Sequence, residues 1–145
     1  MLISQILESK GGNGPGEIVS VESATKVADA VASMSKHRIG AVLVRDGDGL
    51  SGILSERDVM HLIARKGPDA LALSVSDAMT KKIVICSRSD SVDQAMSAMT
   101  EGRFRHLPVV DGDELLGMIS IGDVVKAKIE QAEHEVEDLK GYIAS

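Results

Sequence analysis

The chain has 145 residues, 43% of them hydrophobic and 26% charged, which suits one globular domain or two small halves sharing a core and excludes a disordered tail. A formal net charge of −6, with one Phe, one Tyr and no Trp, argues against nucleic-acid binding, because phosphate backbones ask for cations and unpaired bases for aromatic platforms. The longest apolar stretches are too short for a bilayer, Met1–Gln5 lacks the marks of a signal peptide, and the lone Cys86 permits no internal disulfide, so a reducing cytoplasm is expected, with no membrane partner.

In chain order, Ile3–Lys10 reads as a short helix, followed by a Gly-rich joint at Gly11–Gly16. A β run at Ile18–Val21 ends in the polar pair Glu22-Ser23. Val27, Ala30, Val31 and Met34 then mark the apolar stripe of a helix. A strand at Ala41–Val44, an Asp46-Gly47 turn and a second strand at Leu50–Leu54 form a hairpin that leads into a helix capped by Ser55. The connecting stretch 61–80 is broken at Gly67–Ala70, and "SVSDAMT" opens a new short helix with the same part as Ile3–Lys10. The series then recurs: a β run at Ile83–Cys86, a helix on Val92, Ala95, Met96 and Met99, a strand at Leu107–Val110, an Asp111-Gly112 turn and a strand at Leu115–Ser120. Cys86, inside an apolar run, is expected to pack rather than react.

An ungapped offset of 65 lays the second series on the first. Val27, Ala30, Met34 and Arg38 meet Val92, Ala95, Met99 and Arg103. Gly52, Ser55, Asp58 and Val59 meet Gly117, Ser120, Asp123 and Val124. Each unit therefore reads β-α-β-β-α, with 1–80 as the first unit plus its leading helix and linker, and 81–145 as the second. Sheets this small do not cover both faces alone, so packing of the two units sheet to sheet is expected. The C-terminal helix outruns its counterpart. Its apolar residues Val125, Ile129, Ala132, Val136, Leu139 and Ile143 step by 4, 3, 4, 3, 4, a heptad seam that either finds a partner or folds back on its own domain.

Two tandem units ending in "GILSERDV" (Gly52–Val59) and "GMISIGDV" (Gly117–Val124), with "RHLPVVD" at Arg105–Asp111, resemble a pair of CBS domains, the Bateman module. The resemblance implies an α/β (α+β) fold of two CBS units related by a pseudo-two-fold, plus a long C-terminal helix. It implies a stand-alone regulatory sensor that binds an adenosine nucleotide between the paired sheets: AMP first, with ADP, ATP, S-adenosylmethionine or a dinucleotide such as NAD(H) as alternatives. Asp58 and Asp123 would take the ribose hydroxyls, and Ser55 and Ser120 ribose or phosphate oxygens. A carboxylate accepts from two vicinal hydroxyls, which suits a ribose. Ile18, Val19, Ile83, Val84, Ile39, Ala41, Leu107 and Pro108 would wall the adenine. Arg103, Arg105 and His106 would meet phosphate, with Arg57 behind them, since guanidinium forks match phosphate oxygens.

The first unit has Ile39-Gly40-Ala41 where the second has Phe104-Arg105-His106, so the second is the stronger candidate and occupancy of the first stays open. The family usually pairs modules, which implies a homodimer and an unidentified protein partner for output. Two other classes compete. An enzyme is disfavoured, with no catalytic or metal residues to nominate: the four histidines do not cluster, and Gly11–Gly16 has no phosphate-loop lysine. A ligand-independent dimerisation module would use each Ser and Asp as helix caps alone.

Overall fold

The computed structural model describes residues 1–10 and 18–144, and the joint expected at Gly11–Gly16 lies outside them. In chain order the elements are α1 (Ile3–Ser9), β1 (Ser20–Val21), α2 (Val27–His37), β2 (Ala41–Asp46), β3 (Gly49–Ser55), α3 (Glu56–Lys66), α4 (Val92–Gly102), β4 (His106–Asp111), β5 (Glu114–Ser120) and α5 (Ile121–Ala144). Short 3₁₀ turns occupy Gly67–Ala72 and Val75–Asp77. The mixed α/β fold and the long C-terminal helix are as the repeat implies.

The chain divides into two compact units, Val19–Ile83 and Met1–Ile18 with Val84–Ser145. In the first, β1 pairs parallel with β2 and β2 antiparallel with β3. The inward stripe of α2 (Val27, Ala30, Met34) packs on Val42, Val44 and Leu54. Val59 and Leu62 of α3 close the same core. Gly47 begins the two-residue hairpin turn at φ +61°, a conformation that costs glycine little and other residues more. Gly112 repeats it at φ +62° in the second unit.

The second unit departs from expectation at two places. The β run at Ile83–Cys86 is reduced to one parallel bridge, Cys86 to Val109. Cys86 N–H donates to the Pro108 carbonyl at 2.9 Å and Val110 N–H to the Cys86 carbonyl at 2.8 Å. The next bond of a parallel ladder would need an N–H at position 108, and proline has none. Leu43, its counterpart, keeps that donor, and β1 extends over Ser20 and Val21, although not back to Ile18.

The second difference concerns the division at residue 80. Helix α1 belongs to the second unit, where Ile3 and Ile6 are buried among Val92, Ala95, Met99 and Ile119. Ile3 N–H donates to the Asp90 carbonyl (2.9 Å) and Ser4 N–H to that of Arg88 (3.0 Å). In the first unit Val75 N–H donates to Thr25 (2.7 Å) and Ser76 N–H to Ser23 (3.0 Å), the same two positions of the repeat. Ile3–Lys10 and the "SVSDAMT" segment do play one part, but each precedes one repeat and completes the other. Cys86 is 7% exposed within this second core. Burial, then the charge of Asp90, pushes its thiol up to about 12, so it stays protonated and inert at neutral pH. Among the described residues no helix is long and apolar enough to cross a membrane.

Candidate functional site

Each repeated phrase ends a strand and starts a helix. Ser55, in extended conformation, caps α3: its Oγ accepts from Asp58 N–H at 3.2 Å. Asp58 Oδ2 in return accepts from the Ser55 N–H (2.9 Å) and hydroxyl (3.0 Å). This reciprocal pair satisfies helix-start donors that are otherwise orphaned. Ser120 and Asp123 repeat it, with Asp123 N–H donating to Ser120 Oγ at 3.2 Å and Ser120 N–H to Asp123 Oδ2 at 2.8 Å. The helix start is tied to the preceding loop by Glu56 N–H on the Gly40 carbonyl (3.0 Å) and Ile121 N–H on the Arg105 carbonyl (2.8 Å).

Here the two copies part. Asp58 Oδ1 accepts the Thr80 hydroxyl at 3.1 Å, so both carboxylate oxygens are engaged. Thr80 is held there by a two-bond bridge to Ile53, at 3.0 and 2.8 Å. Asp123 Oδ2 accepts the Lys10 ammonium at 2.8 Å, and the same ammonium donates to the Met118 carbonyl at 3.0 Å. Among the described residues no hydrogen bond reaches Asp123 Oδ1. Burial works to raise the Asp123 carboxyl, but the Lys10 and Ser120 hydrogen bonds outweigh it and hold the group below the usual carboxylate range. Lys10 and Thr80 are the members of the site that sequence reasoning missed. Each comes from a segment outside the repeat, so overlaying the chain on itself gives no signal for either.

The glycine of each phrase answers to the same segments. A Cβ on Gly52 would lie 2.7 Å from the Thr80 carbonyl oxygen and 2.9 Å from Met79 Sδ. On Gly117 it would meet only Leu7 Cδ2, at 3.2 Å.

The remaining nominated residues are distributed as follows. His106 lies directly across the β ladder from Ser120, where the first unit has Ala41 across from Ser55. Arg57, Arg103 and Arg105 are exposed, and among the described residues none makes an ion pair. Arg38 and Arg103 end α2 and α4 in the left-handed conformation, at φ 55° and 56°. Ile18 and Val19 are half-buried at the entry to β1. Ile83 is half-buried and Val84 exposed, ahead of the Cys86 bridge. Ile39 packs against the first core.

Leu107, nominated as an adenine wall, is 1% exposed and sits instead in the core of its own unit with Val109 and Ile119. Side chains alternate along a strand, so the opposite face of β4 belongs to His106 and Pro108, and that of β2 to Ala41; Pro108 and Ala41 are themselves buried, Ala41 at 0% exposure. A cavity of about 470 Å³ opens between the end of α2 and the start of α3, lined by Met34, Arg38, Ile39, Glu56 and Val59 among others. Ser55 and Asp58 are not in its lining, so it opens on the neighbouring face of the first turn of α3.

Comparison with known proteins places these features in a family. The family model described as CBS domain matches residues 16–65 and 75–130. The chain is 37% identical over 146 aligned residues to the CBS domain-containing protein CBSX3, mitochondrial, of Arabidopsis thaliana, covering 97% of this chain and 71% of that one. Some other curated relatives are much longer, and the chain spans 16% and 23% of two of them. Among solved structures, the CBS-domain containing protein ATU1752 from Agrobacterium tumefaciens is 43% identical, with a TM-score of 0.83 over 88% of this chain and 99% of that one. CBSX2 in complex with AMP shares the fold at 24% identity and a TM-score of 0.72, covering 90% of this chain and 98% of that one. The CBS domain pair of MJ0100 with 5′-methylthioadenosine and S-adenosyl-L-methionine does so at 19% and 0.76, with the same coverage.

Proposed function

The chain belongs to the CBS domain family, and from that premise we propose that it is a regulatory module that binds an adenosine nucleotide, AMP in first place, at the Ser120–Asp123 helix start. The observation that carries this is the state of Asp123. Its Oδ2 is fixed by Ser120 and Lys10 while its Oδ1 keeps its accepting capacity, as a ribose hydroxyl requires. Arg103 and Arg105, without acid partners among the described residues, and His106 across from Ser120 supply cations for a phosphate. Asp58 has both oxygens engaged, which supports the second unit over the first. That proteins of this fold have been seen with AMP, 5′-methylthioadenosine and S-adenosyl-L-methionine supports the adenosine class. ADP, ATP and NAD(H) stay as rival ligands.

The activity is binding, with no bond made or broken. Output would pass through a homodimer and a separate effector protein. The lone, buried Cys86 suits a reducing compartment, the cytoplasm in the first instance, although the Arabidopsis relative is described as mitochondrial. The row of exposed apolar residues on α5 favours a second reading, a ligand-independent assembly module. Ligand dependence separates the two.

The test is calorimetric titration of nucleotide-stripped protein with AMP, beside Asp123→Ala and Asp58→Ala, followed by ADP, ATP and NADH. Saturable heat weakened roughly tenfold to a hundredfold by Asp123→Ala, the worth of one or two charged hydrogen bonds, is the expected result. Heat lost only in Asp58→Ala would move the site to the first unit. No heat with any of the four would overturn the sensor reading.

A further inference from the structure

Helix α5 runs for 24 residues, and only its first two turns are packed. Val124 and Ala127 are buried, whereas every residue from Ala132 to Ile143 is exposed. Ile129, Val136, Leu139 and Ile143 are 54%, 50%, 58% and 74% exposed. This settles one alternative, since over the described residues the seam does not fold back on its own unit. Steps of 4, 3, 4, 3, 4 fix the heptad uniquely, with Ile129, Val136 and Ile143 at a and Val125, Ala132 and Leu139 at d. β-branched residues at every a position, with Leu139 at one d position, suit a two-stranded pairing.

The flanking charges choose the parallel direction. Positions e are Lys126, Glu133 and Lys140; positions g include Lys128 and Glu135. In a parallel pair, each g residue faces the e residue five positions further on in the second copy. Lys128 then meets Glu133 and Glu135 meets Lys140, opposite charges in both cases. An antiparallel pair that aligns the same apolar rows sets Ile129 against Leu139, with e facing e and g facing g. Lys126 would face Lys140, and Glu133 and Glu135 would each face their own copies, all like-charged. We propose that α5 is a parallel, in-register zipper with a second copy of this chain. The seam spans fewer than three heptads, so it orients a dimer more than it creates one. The inference rests on the homodimer above and is independent of the nucleotide.

Lys128 already donates to Asp93 of its own chain at 2.7 Å, whereas Glu135 accepts, among the described residues, only the neutral amide of Gln131 at 3.3 Å, so the Glu135–Lys140 pair is the cleaner probe. In the full chain, Ile143→Cys is expected to give a disulfide-linked dimer under mild oxidation, with wild type, whose Cys86 is buried, giving none. Sedimentation equilibrium should show Glu135→Lys raising the dimer dissociation constant roughly tenfold, by reversing two pairs, and Glu135→Lys/Lys140→Glu restoring it. All three substituted positions are exposed, so folding is not at stake. A dimer that forms no 143–143 disulfide and ignores Glu135→Lys overturns the zipper while leaving the homodimer standing. Cross-linking of Val125→Cys to Ile143→Cys in mixed dimers would establish the antiparallel arrangement instead. A monomer at all concentrations overturns both readings, and the AMP titration is unaffected by either outcome.

Discussion

Replacing Arg103 by glycine should make the protein more stable and a poorer binder. Arg103 follows α4 with φ 56° and ψ 38°, and Phe104 N–H closes the helix end on the Met99 carbonyl at 3.2 Å. This helix stop usually employs glycine, because an L side chain in the left-handed region costs about 1–2 kcal/mol. Glycine removes that cost but gives back about 0.5–1 kcal/mol through the entropy of the unfolded chain. The net gain is about 0.5–1 kcal/mol. With an unfolding entropy of about 2.1 cal/mol/K per residue, that is a rise of about 2–3 °C in Tm. Arg103→Ala keeps the strained backbone and should gain nothing.

Both substitutions delete the same guanidinium, so both should weaken AMP by about tenfold or more, the worth of a charge-assisted bond to phosphate. Far-ultraviolet circular dichroism is the probe of choice for melting, since there is no Trp to follow by fluorescence. Arg38→Gly, at the matching position of the first unit (φ 55°), should show the gain in stability with little loss of affinity. If Arg103→Gly melts no higher than Arg103→Ala, the cost assigned to the left-handed backbone is wrong. If both bind AMP as wild type does, Arg103 is not a phosphate ligand.

The two phrase glycines should respond unequally. Gly52→Ala drives a methyl into the Thr80 carbonyl oxygen, 2.7 Å away, and should cost about 2–3 kcal/mol in urea unfolding. Gly117→Ala meets only the movable end of Leu7 at 3.2 Å and should cost under about 1 kcal/mol; equal losses would show that the close approach at Gly52 is not what selects glycine. Asp123 should give a pH signature. Its carboxyl is depressed in the folded state, so its contribution is present above the ordinary carboxylate range and fades as pH falls through the folded value. Asp123→Asn, which can still cap α5, should therefore lower the urea midpoint at pH 7 and converge with wild type in acid, and a pH-independent difference would refute the Lys10–Asp123 pairing.

What was legible in the sequence was local. The stripe of α2, the Ser55 and Ser120 caps and the Asp-Gly hairpins each depend on residues within a turn or two of one another. The offset of 65 made each of them visible twice. The face assigned to Leu107 was legible as well, since it shares parity with core Val109, but parity had to outweigh its place in "RHLP". The docking of α1 was not legible: Ile3 and Ile6 carry a generic apolar spacing that suits either unit. The contact of Lys10 with Asp123 follows from that docking, and that of Thr80 with Asp58 from the Thr80 bridge to Ile53 in the first unit; they span 113 and 22 residues of chain, and no local pattern encodes them.

The duplicated phrase therefore sets up two equal backbones and leaves it to other residues to make two unequal sites. At the first helix start, Arg38 and Arg57 balance Glu56 and Asp58. At the second, Ile121 and Gly122 replace Glu56 and Arg57, so Lys10, Arg103 and Arg105 exceed Asp123 by two charges before His106 is considered. A neutral nucleoside would gain little from that excess, because ribose needs only a carboxylate with an oxygen to spare. A phosphate would gain most, because its charge is attracted by every uncompensated cation within a Debye length, about 8–10 Å at physiological salt. On the proposed reading the asymmetry between the repeats is an asymmetry for anions, and the phosphate of a nucleotide, more than its base, is what the second unit would distinguish.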